Sequence, residues 1–209
     1  MAKRLKAAER KASILAVAKV LFADRGYHGV SIDDIARRLG VSPAVLYRHF
    51  PSKEALYEAV LGDIACTREN YVDAILAGPS GFGDVLLRMT RVFVDSIAGD
   101  PDYLRMEMLA ALEANPAAKQ FFDNRWKSFT DYIEFSLVEL SRENRAAHVN
   151  PKAASLMFQG MMREALYAKC IYRSEHYREF DLDTLVNRLV ELFLRAIGYT
   201  PATERNADE

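Results

Sequence analysis

Apolar residues return at intervals of three and four along most of the chain, which is the spacing that places them on one face of an α-helix. Alternating runs rich in β-branched residues, which are typical of strands, are few. The pattern therefore predicts an all-α fold of about nine helices.

Local signals set the first two helices. A helix is predicted over residues 5–24, with Gly26 as its C-terminal stop. Ser31 then supplies a hydroxyl that caps the free backbone amides of a second helix, and Asp34 three residues later makes a variant of the capping box. Gly40 ends this second helix, because glycine readily takes the left-handed conformation of a helix end.

A third helix follows after a short turn. Ser42 is its predicted cap, Pro43 occupies its first position, and Phe50 lies near its end. Two helices joined by such a glycine-containing turn form a helix-turn-helix. Ala36 is small where the two helices would cross, and Leu46 is apolar where the third helix packs back on the second.

The remaining helices belong to a longer second part. A fourth helix is predicted from Lys53 toward Ala77, where the sequence GPSGFG is the clearest break in the chain. The later helices are predicted at 84–98, 101–114, 116–142, 151–172 and 182–198. The chain is therefore divided into a helix-turn-helix domain (1–52), a helical body (53–200) and a frayed tail (201–209).

Charge divides the chain in the same way. The net charge is −1, but residues 1–53 hold 11 Lys and Arg residues against 4 acidic ones, whereas the remainder holds 17 against 25. A basic end of this kind favours a polyanionic partner. We expect a cytoplasmic protein that does not enter a membrane, because no apolar run approaches the roughly 18 residues of a membrane span.

The outward face of the third helix offers groups that contact DNA. Helical spacing places Ala44, Tyr47 and Arg48 on this face, with His49 at its margin. A small residue lets the backbone approach the bases, an arginine can bind a guanine edge, and tyrosine and histidine can donate to phosphates. Lys53 adds charge at a helix start, where free amides already favour a phosphate. The alternative is that the two aromatic residues only cover a small core and the charges are solvated.

These residues lie in a segment with a specific resemblance. Residues 27–60, YHGVSIDDIARRLGVSPAVLYRHFPSKEALYEAV, closely resemble the N-terminal domain of TetR-family transcriptional regulators, including the paired LY and HF and the following SKE. The resemblance implies a DNA-binding domain with a recognition helix at about 43–50. It also implies a larger helical C-terminal domain that binds an effector and forms a homodimer.

The resemblance assigns roles residue by residue. In such regulators the equivalents of Ser31, Ser42, Ala44, Tyr47, His49 and Lys53 commonly contact DNA. Arg48 occupies a variable position, so its base-reading role depends on its outward placement alone. Asp33 stands where some members carry a basic base-reading residue, and that contact is not carried over. The candidate DNA-binding set is Ser31, Ser42, Pro43, Ala44, Tyr47, Arg48, His49 and Lys53.

The last helix is apolar around much of its circumference, which is more than one core face requires. Small residues in the helix at 151–172 permit close approach of another helix. We predict a homodimer through a four-helix bundle, with contacts at Gly160, Ala168, Leu189 and Phe193; burial of both helices within one chain is the alternative. A dimer would place two recognition helices about 34–36 Å apart on a palindromic operator of double-stranded DNA.

Aromatic and methionine side chains are dense between the fourth and eighth helices. They suit a pocket for an apolar or aromatic small molecule, because methionine repacks easily and rings offer broad contacts. The candidate lining residues are Phe93, Trp126, Met161, Met89 and Phe129, and ordinary core packing is the alternative. Since repression is the family's usual mode, we predict a repressor released from its operator by such an effector.

Catalysis, redox sensing and recognition of a protein partner are the alternative functions. Catalysis is not expected, because the sequence lacks a Gly-rich phosphate loop, an HExxH metal pair and a nucleophile elbow. No catalytic residue, metal ligand or cofactor is predicted. A redox switch at Cys66 and Cys170 stays open, although neither has a clearly basic neighbourhood. A helical body that senses a protein partner is the other alternative.

Overall fold

The computed structural model describes residues 7–66 and 81–201, with side chains up to residue 64 in the first range. Within these two ranges there are nine α-helices and no strand, which confirms the all-α prediction. They are α1 (Ala7–Arg25), α2 (Ile32–Leu39), α3 (Pro43–Tyr47), α4 (Lys53–Cys66), α5 (Phe82–Ala98), α6 (Asp102–Glu113), α7 (Pro116–Arg142), α8 (Pro151–Leu166) and α9 (Leu182–Ala196).

The third helix is shorter than the sequence predicts. It ends at Tyr47 instead of near Phe50, because the amides of His49 and Phe50 both donate to the Leu46 carbonyl at 2.9 Å and close the chain into a turn. Leu46 therefore anchors the end of α3 through its backbone as well as its side chain.

The helix predicted over 151–172 is divided in the structure. α8 ends at Leu166 and is followed by a π-helical turn at Tyr167–Ile171, in which the Tyr172 amide donates to the Tyr167 carbonyl at 2.8 Å. The extension of the fourth helix toward Ala77, the start of the chain before residue 7 and the tail after residue 201 lie outside the described residues.

The described residues form two compact units. The first contains residues 7–66 and 100–122, and the second contains 81–99 and 123–201. The first unit is larger than the segment 1–52, because α1 packs against α4 and α6 as well as against α2.

The core of the first unit is built around α1. Its Ile14 and Ala18 are fully buried, and the Phe22 ring meets the Tyr57 ring of α4 edge to face, with the centroids 4.9 Å apart. Lys19 forms a salt bridge of 2.8 Å to Asp100, just before α6. α6 is thus held against the helix that precedes the helix-turn-helix.

The second unit has an aromatic core. Ring contacts run from α5 to α7, from α7 to α8 and from α8 to α9, with centroid separations of 5.2, 5.9 and 5.0 Å. The rings in this series are those of Phe93, Phe129, Phe158 and Phe193. In the part of the chain that the structure describes, no helix has the length and apolarity to cross a membrane.

Candidate nucleic-acid interface

α2 begins with the predicted capping box. The Asp34 amide donates to the Ser31 hydroxyl oxygen at 3.1 Å, and the Ser31 amide donates to the Asp34 carboxylate at 3.1 Å. The Ser31 hydroxyl also donates to that carboxylate, and this hydrogen bond is the main reason why the pKa of Asp34 is lowered. The cap fixes the first turn of α2 and leaves Ser31 exposed.

The turn between α2 and α3 depends on Gly40. Its φ of 65° lies in the left-handed region that favours glycine, and the following Val41 amide donates back to the Ala36 carbonyl at 3.0 Å. Ala36 is buried, as the crossing of two helices requires. The helix-turn-helix prediction is therefore confirmed in its backbone geometry.

α3 is held by its apolar side and exposed on the other. Leu46 is fully buried and Phe50 nearly so. Ala44, Tyr47 and Arg48 are exposed, and Tyr47 keeps 53% of its surface free. An exposed aromatic ring and an exposed guanidinium at adjacent positions provide the stacking and hydrogen-bonding groups of a DNA contact.

The flanks of α3 hold the other candidates. Ser42 is at the N-cap position, but its side chain makes no capping hydrogen bond, which corrects the prediction that it caps through its hydroxyl. Pro43 occupies the first turn as predicted, and His49 is half-buried at the margin of the outward face. Since the exposed Ser42 hydroxyl is not used as a cap, it remains available to a phosphate.

Lys53 contacts the loop of residues 26–30, which we call the α1–α2 loop. Its ammonium group donates to the carbonyls of Tyr27 and Val30 at 2.9 and 3.0 Å and lies 4.2 Å from the centroid of the Tyr27 ring. An ammonium has three N–H donors, and two of them are directed into the protein. Lys53 therefore fixes the loop, and only its remaining donor is left for a phosphate.

Tyr27 also makes a short hydrogen bond at the start of α4. Its hydroxyl donates to the Glu54 carboxylate at 2.5 Å. Burial, followed by this bond, raises the pKa of Tyr27 to about 12. The same hydrogen bond is the main reason why the pKa of Glu54 falls to about 2, with smaller contributions from its backbone and from Ser52.

The α1–α2 loop has a further partner that the sequence did not indicate. The Glu113 carboxylate, at the end of α6, accepts hydrogen bonds from the amides of Tyr27 and His28 at 2.8 and 3.1 Å. Glu113 and Tyr27 are 86 residues apart, so no local pattern could have revealed the contact. Two charged side chains, those of Glu113 and Lys53, thus bind the amides and carbonyls of one loop.

Four of the five candidate effector residues lie in a closed core. Phe93, Trp126, Phe129 and Met89 are all at least 94% buried. The Phe93 and Trp126 rings are only 4.7 Å apart between centroids, which leaves no space between them for a ligand. A ligand here would have to separate packed rings.

Two arginines adjoin this core. The guanidinium of Arg125 lies 6.0 Å from the centroid of the Phe93 ring, and that of Arg163 lies 5.6 Å from the centroid of the Trp126 ring. Both distances are within the range of cation–π attraction. The two guanidinium groups place positive charge at one border of the aromatic core, which the composition of the chain did not indicate.

Met161, the fifth candidate, lies elsewhere. It lines an open apolar groove of about 410 Å³ on α8 and α9, together with Gly160, Ala168 and Leu189. Three of the four predicted dimer contacts are therefore brought together at one surface. Phe193 is not among them, because it is fully buried and packs edge to face against Phe158. Its prediction as a surface contact is wrong.

The redox alternative gains no support at Cys170. Burial raises the pKa of this thiol, and the neighbouring Lys169 offsets the effect only in part. The Lys169 ammonium itself donates to the carbonyls of Tyr177 and Phe180. A thiol with a raised pKa is a poor nucleophile at neutral pH. The Cys66 side chain lies outside the described residues.

Among the described His, Cys, Asp and Glu side chains, no group of three is placed to hold a metal ion.

The helix-turn-helix segment is similar to known proteins. The model of the family described as bacterial regulatory proteins, tetR family, matches residues 14–60. The transcriptional activator FasR of Mycolicibacterium smegmatis is 45% identical over 75 residues, which are 36% of this chain and only 31% of FasR. The transcriptional repressor KstR2 of the same organism is 28% identical over 79% of this chain and 74% of its own.

The likeness to solved structures extends over the second unit as well. A TetR-family transcriptional regulator from Bordetella parapertussis is 26% identical and superposes with a TM-score of 0.67, covering 88% of this chain and 93% of its own. The matched segment 14–60 contains the capping box, the Gly40 turn and the exposed face of α3. Residues 14–60 are therefore similar to the tetR family of bacterial regulatory proteins.

Proposed function

We propose that this chain is a homodimeric repressor that binds a palindromic operator and is released by a small apolar or aromatic effector. The observation that carries the proposal is the outward face of α3. Ala44, Tyr47 and Arg48 are exposed there, while buried Leu46 and Phe50 hold the helix in place. A short helix with a small residue, an aromatic ring and a guanidinium on its free side fits a major groove.

Charge supports a nucleic-acid partner. Residues 1–53 contain 11 basic and 4 acidic residues in a chain whose net charge is −1. Neutralising phosphates releases counterions, so binding by this segment should weaken steeply as salt rises. Sequence preference must come from the residues that reach the bases, and Arg48 is the side chain suited to a guanine edge.

The test first selects DNA duplexes that the protein binds and then measures its affinity for them. Duplexes enriched by the purified protein from a random DNA library are labelled, and their affinity is compared with that of shuffled duplexes by fluorescence anisotropy across a salt series. Arg48→Ala should lower the affinity for the enriched duplex about 10- to 100-fold, which corresponds to about 1–3 kcal/mol for one base contact. Phe135→Ala, at an exposed aromatic residue of α7, is the matched control and should change nothing.

The proposal fails if no duplex is enriched or if the enriched and shuffled duplexes bind equally. A retained preference in both Arg48→Ala and Tyr47→Ala would move the base-reading role to other residues of the basic segment. Repression is distinguished from activation by transcription in vitro from a promoter that carries the enriched site.

The groove on α8 and α9 supports a second copy of the chain as partner. It is apolar and open, and Gly160 at its wall permits close approach of another helix. Leu156 of α8 and Leu192 of α9 are also exposed, by 69% and 56%. An apolar surface of this kind on two neighbouring helices fits a four-helix bundle between two copies.

The aromatic core of the second unit supports an apolar or aromatic effector. A ligand that enters between Phe93 and Trp126 would shift the conformational population of the second unit. Trp126 is the chain's single tryptophan, so its emission reports on this position directly. A saturable change in emission together with a raised melting temperature supports the effector. If neither occurs across a broad set of hydrophobic compounds, a protein partner becomes the better proposal.

A further inference from the structure

The α1–α2 loop is held by its backbone. The Glu113 carboxylate accepts the amide hydrogens of Tyr27 and His28, and the Lys53 ammonium donates to the carbonyls of Tyr27 and Val30. Charged groups make stronger hydrogen bonds than neutral ones. The four bonds therefore define the path of the loop up to Ser31, where α2 begins.

Gly26 makes the approach of Glu113 feasible. Its φ of 72° already favours glycine. In addition, a β-carbon at Gly26 would lie 2.2 Å from Oε1 of Glu113 and 2.8 Å from the carboxyl carbon. The residue is therefore needed for the turn and also for the space that the carboxylate occupies, which indicates that the loop and Glu113 are fitted to each other.

Glu113 is outside the DNA-binding segment in sequence. It is the last residue of α6, and Asp100, which lies just before the start of α6, forms a salt bridge of 2.8 Å to Lys19 of α1. α6 thus contacts the first helix at one end and the loop into α2 at the other. A change in the position of α6 would therefore alter the hydrogen bonds to the amides of Tyr27 and His28.

We propose that Glu113 is a positioning residue for sequence-specific DNA binding: its carboxylate holds the α1–α2 loop and thereby sets how α2 and α3 are presented to the duplex. The inference rests on the proposed DNA-binding function. Glu113 does not contact DNA in this account. It acts on the duplex through the loop, and it makes operator affinity depend on where α6 lies.

Electrostatics alone predicts that loss of the Glu113 charge would strengthen DNA binding, whereas loss of loop positioning would weaken it. Removing one negative charge from a protein strengthens its attraction to a polyanion. Glu113→Ala should instead weaken binding to an enriched duplex at least 10-fold, because the loop is released. Affinity for a shuffled duplex depends on charge and not on the exact placement of α3, so it should stay the same or rise slightly.

Two control variants separate charge and helix stability from positioning. Glu58→Gln removes an equivalent charge from an exposed site on α4 and should raise both affinities slightly. Leu112→Ala changes an 83% exposed neighbour of Glu113 and should leave both unchanged. Glu113→Gln keeps one acceptor oxygen, so its loss of affinity for the enriched duplex should be smaller than that of Glu113→Ala.

Amide hydrogen exchange provides a readout that does not depend on DNA. The amides of Tyr27 and His28 should exchange at least 10-fold faster in Glu113→Gln than in the wild type, whereas the Ser31-capped amide of Asp34 should not change. This measurement applies even if Glu113→Ala folds poorly.

The outcomes are distinguishable. A wild-type protein that enriches no duplex overturns the proposed function and this inference with it. A wild type that discriminates between duplexes, together with a Glu113→Ala variant that discriminates equally well, overturns the inference alone. Equal weakening on enriched and shuffled duplexes also contradicts it, because a merely structural role would reduce both.

Discussion

Tyr27 binds through three different groups. Its amide donates to Glu113, its carbonyl accepts from Lys53, and its hydroxyl donates to Glu54. Burial, followed by the hydroxyl bond, raises the pKa of Tyr27 to about 12, and the same bond is the main reason why that of Glu54 falls to about 2. One residue of a short loop thus connects α4 and α6 to the entry of α2.

Tyr27→Phe should return the pKa of Glu54 toward its usual 4.5, because the hydroxyl that stabilises the carboxylate is gone. The measurement is a carboxyl-carbon NMR titration. Tyr57→Phe, which leaves the hydrogen bond between Tyr27 and Glu54 in place, should leave the Glu54 pKa near 2. A Glu54 pKa that stays near 2 in Tyr27→Phe would show that the lowering has another origin.

The same pair predicts a pH dependence of stability. The folded-state pKa of Glu54 is depressed, so the stabilisation from its ionised form is complete above pH 4.5 and is lost as the pH falls toward 2. The difference in free energy of unfolding between the wild type and Tyr27→Phe should therefore narrow from pH 5 to pH 2. Urea unfolding at several pH values measures it, and a constant difference would contradict the assignment.

Residue roles could be predicted where the partner is close in sequence. Ser31 and Asp34 are three residues apart, and Gly40 acts on the turn that contains it, so their chemistry is visible in a short window. Lys53 reaches Tyr27 across 26 residues and Glu113 reaches it across 86. These contacts exist only because helices pack, and that packing cannot be read from local patterns in a single sequence.

At the scale of elements, the two short helices of the helix-turn-helix are stabilised differently. α2 has a complete capping box and a left-handed glycine at its end. α3 has only five residues and lacks a side-chain cap at Ser42, so it depends on the burial of Leu46 and Phe50. An isolated helix of that length would not form in water.

Ser31→Ala should therefore lower the free energy of unfolding by about 1 kcal/mol, the usual effect of losing a cap. Ser42→Ala is the matched substitution at the next helix start, where no side-chain cap is lost, and its effect should stay below about 0.5 kcal/mol. Urea unfolding of both variants provides the comparison. Equal losses would contradict the difference between the caps.

A substitution at Gly160 can test dimer formation without affecting the stability of a single chain. A β-carbon at Gly160 would meet nothing within 4 Å in the single chain, and the same holds for Gly62 of α4. Gly160→Leu should fold and yet fail to dimerise, because the larger side chain would fill the surface that we propose for the second copy. Gly62→Leu should remain a dimer. Sedimentation velocity tests both, and a dimeric Gly160→Leu would contradict the proposed interface.

Helix positions were predictable from apolar spacing and from helix-ending residues. The bounds predicted for α7, 116–142, agree with the structure, since a proline begins the helix and its apolar positions continue to the end. The π-helical turn at Tyr167–Ile171 was missed, because a single turn with a different hydrogen-bond spacing hardly alters the apolar pattern.

For the whole molecule, the division into a basic segment and an acidic remainder was readable from charge alone. The effector site could not be predicted from composition. Phe93, Trp126 and Phe129 have the composition of an aromatic pocket, yet in the structure their rings pack against one another. A closed core and a pocket for an apolar ligand use the same residue types, so composition cannot distinguish them.

Two copies of this chain are proposed to bind one DNA site through α3. The direct measurement is the stoichiometry and sequence of the complex with the enriched duplex, obtained by sedimentation equilibrium and by footprinting. We predict an even number of chains on an inverted repeat whose half-sites are about 10–10.5 base pairs apart, or a multiple of that. A single chain on a site without an inverted repeat would contradict it.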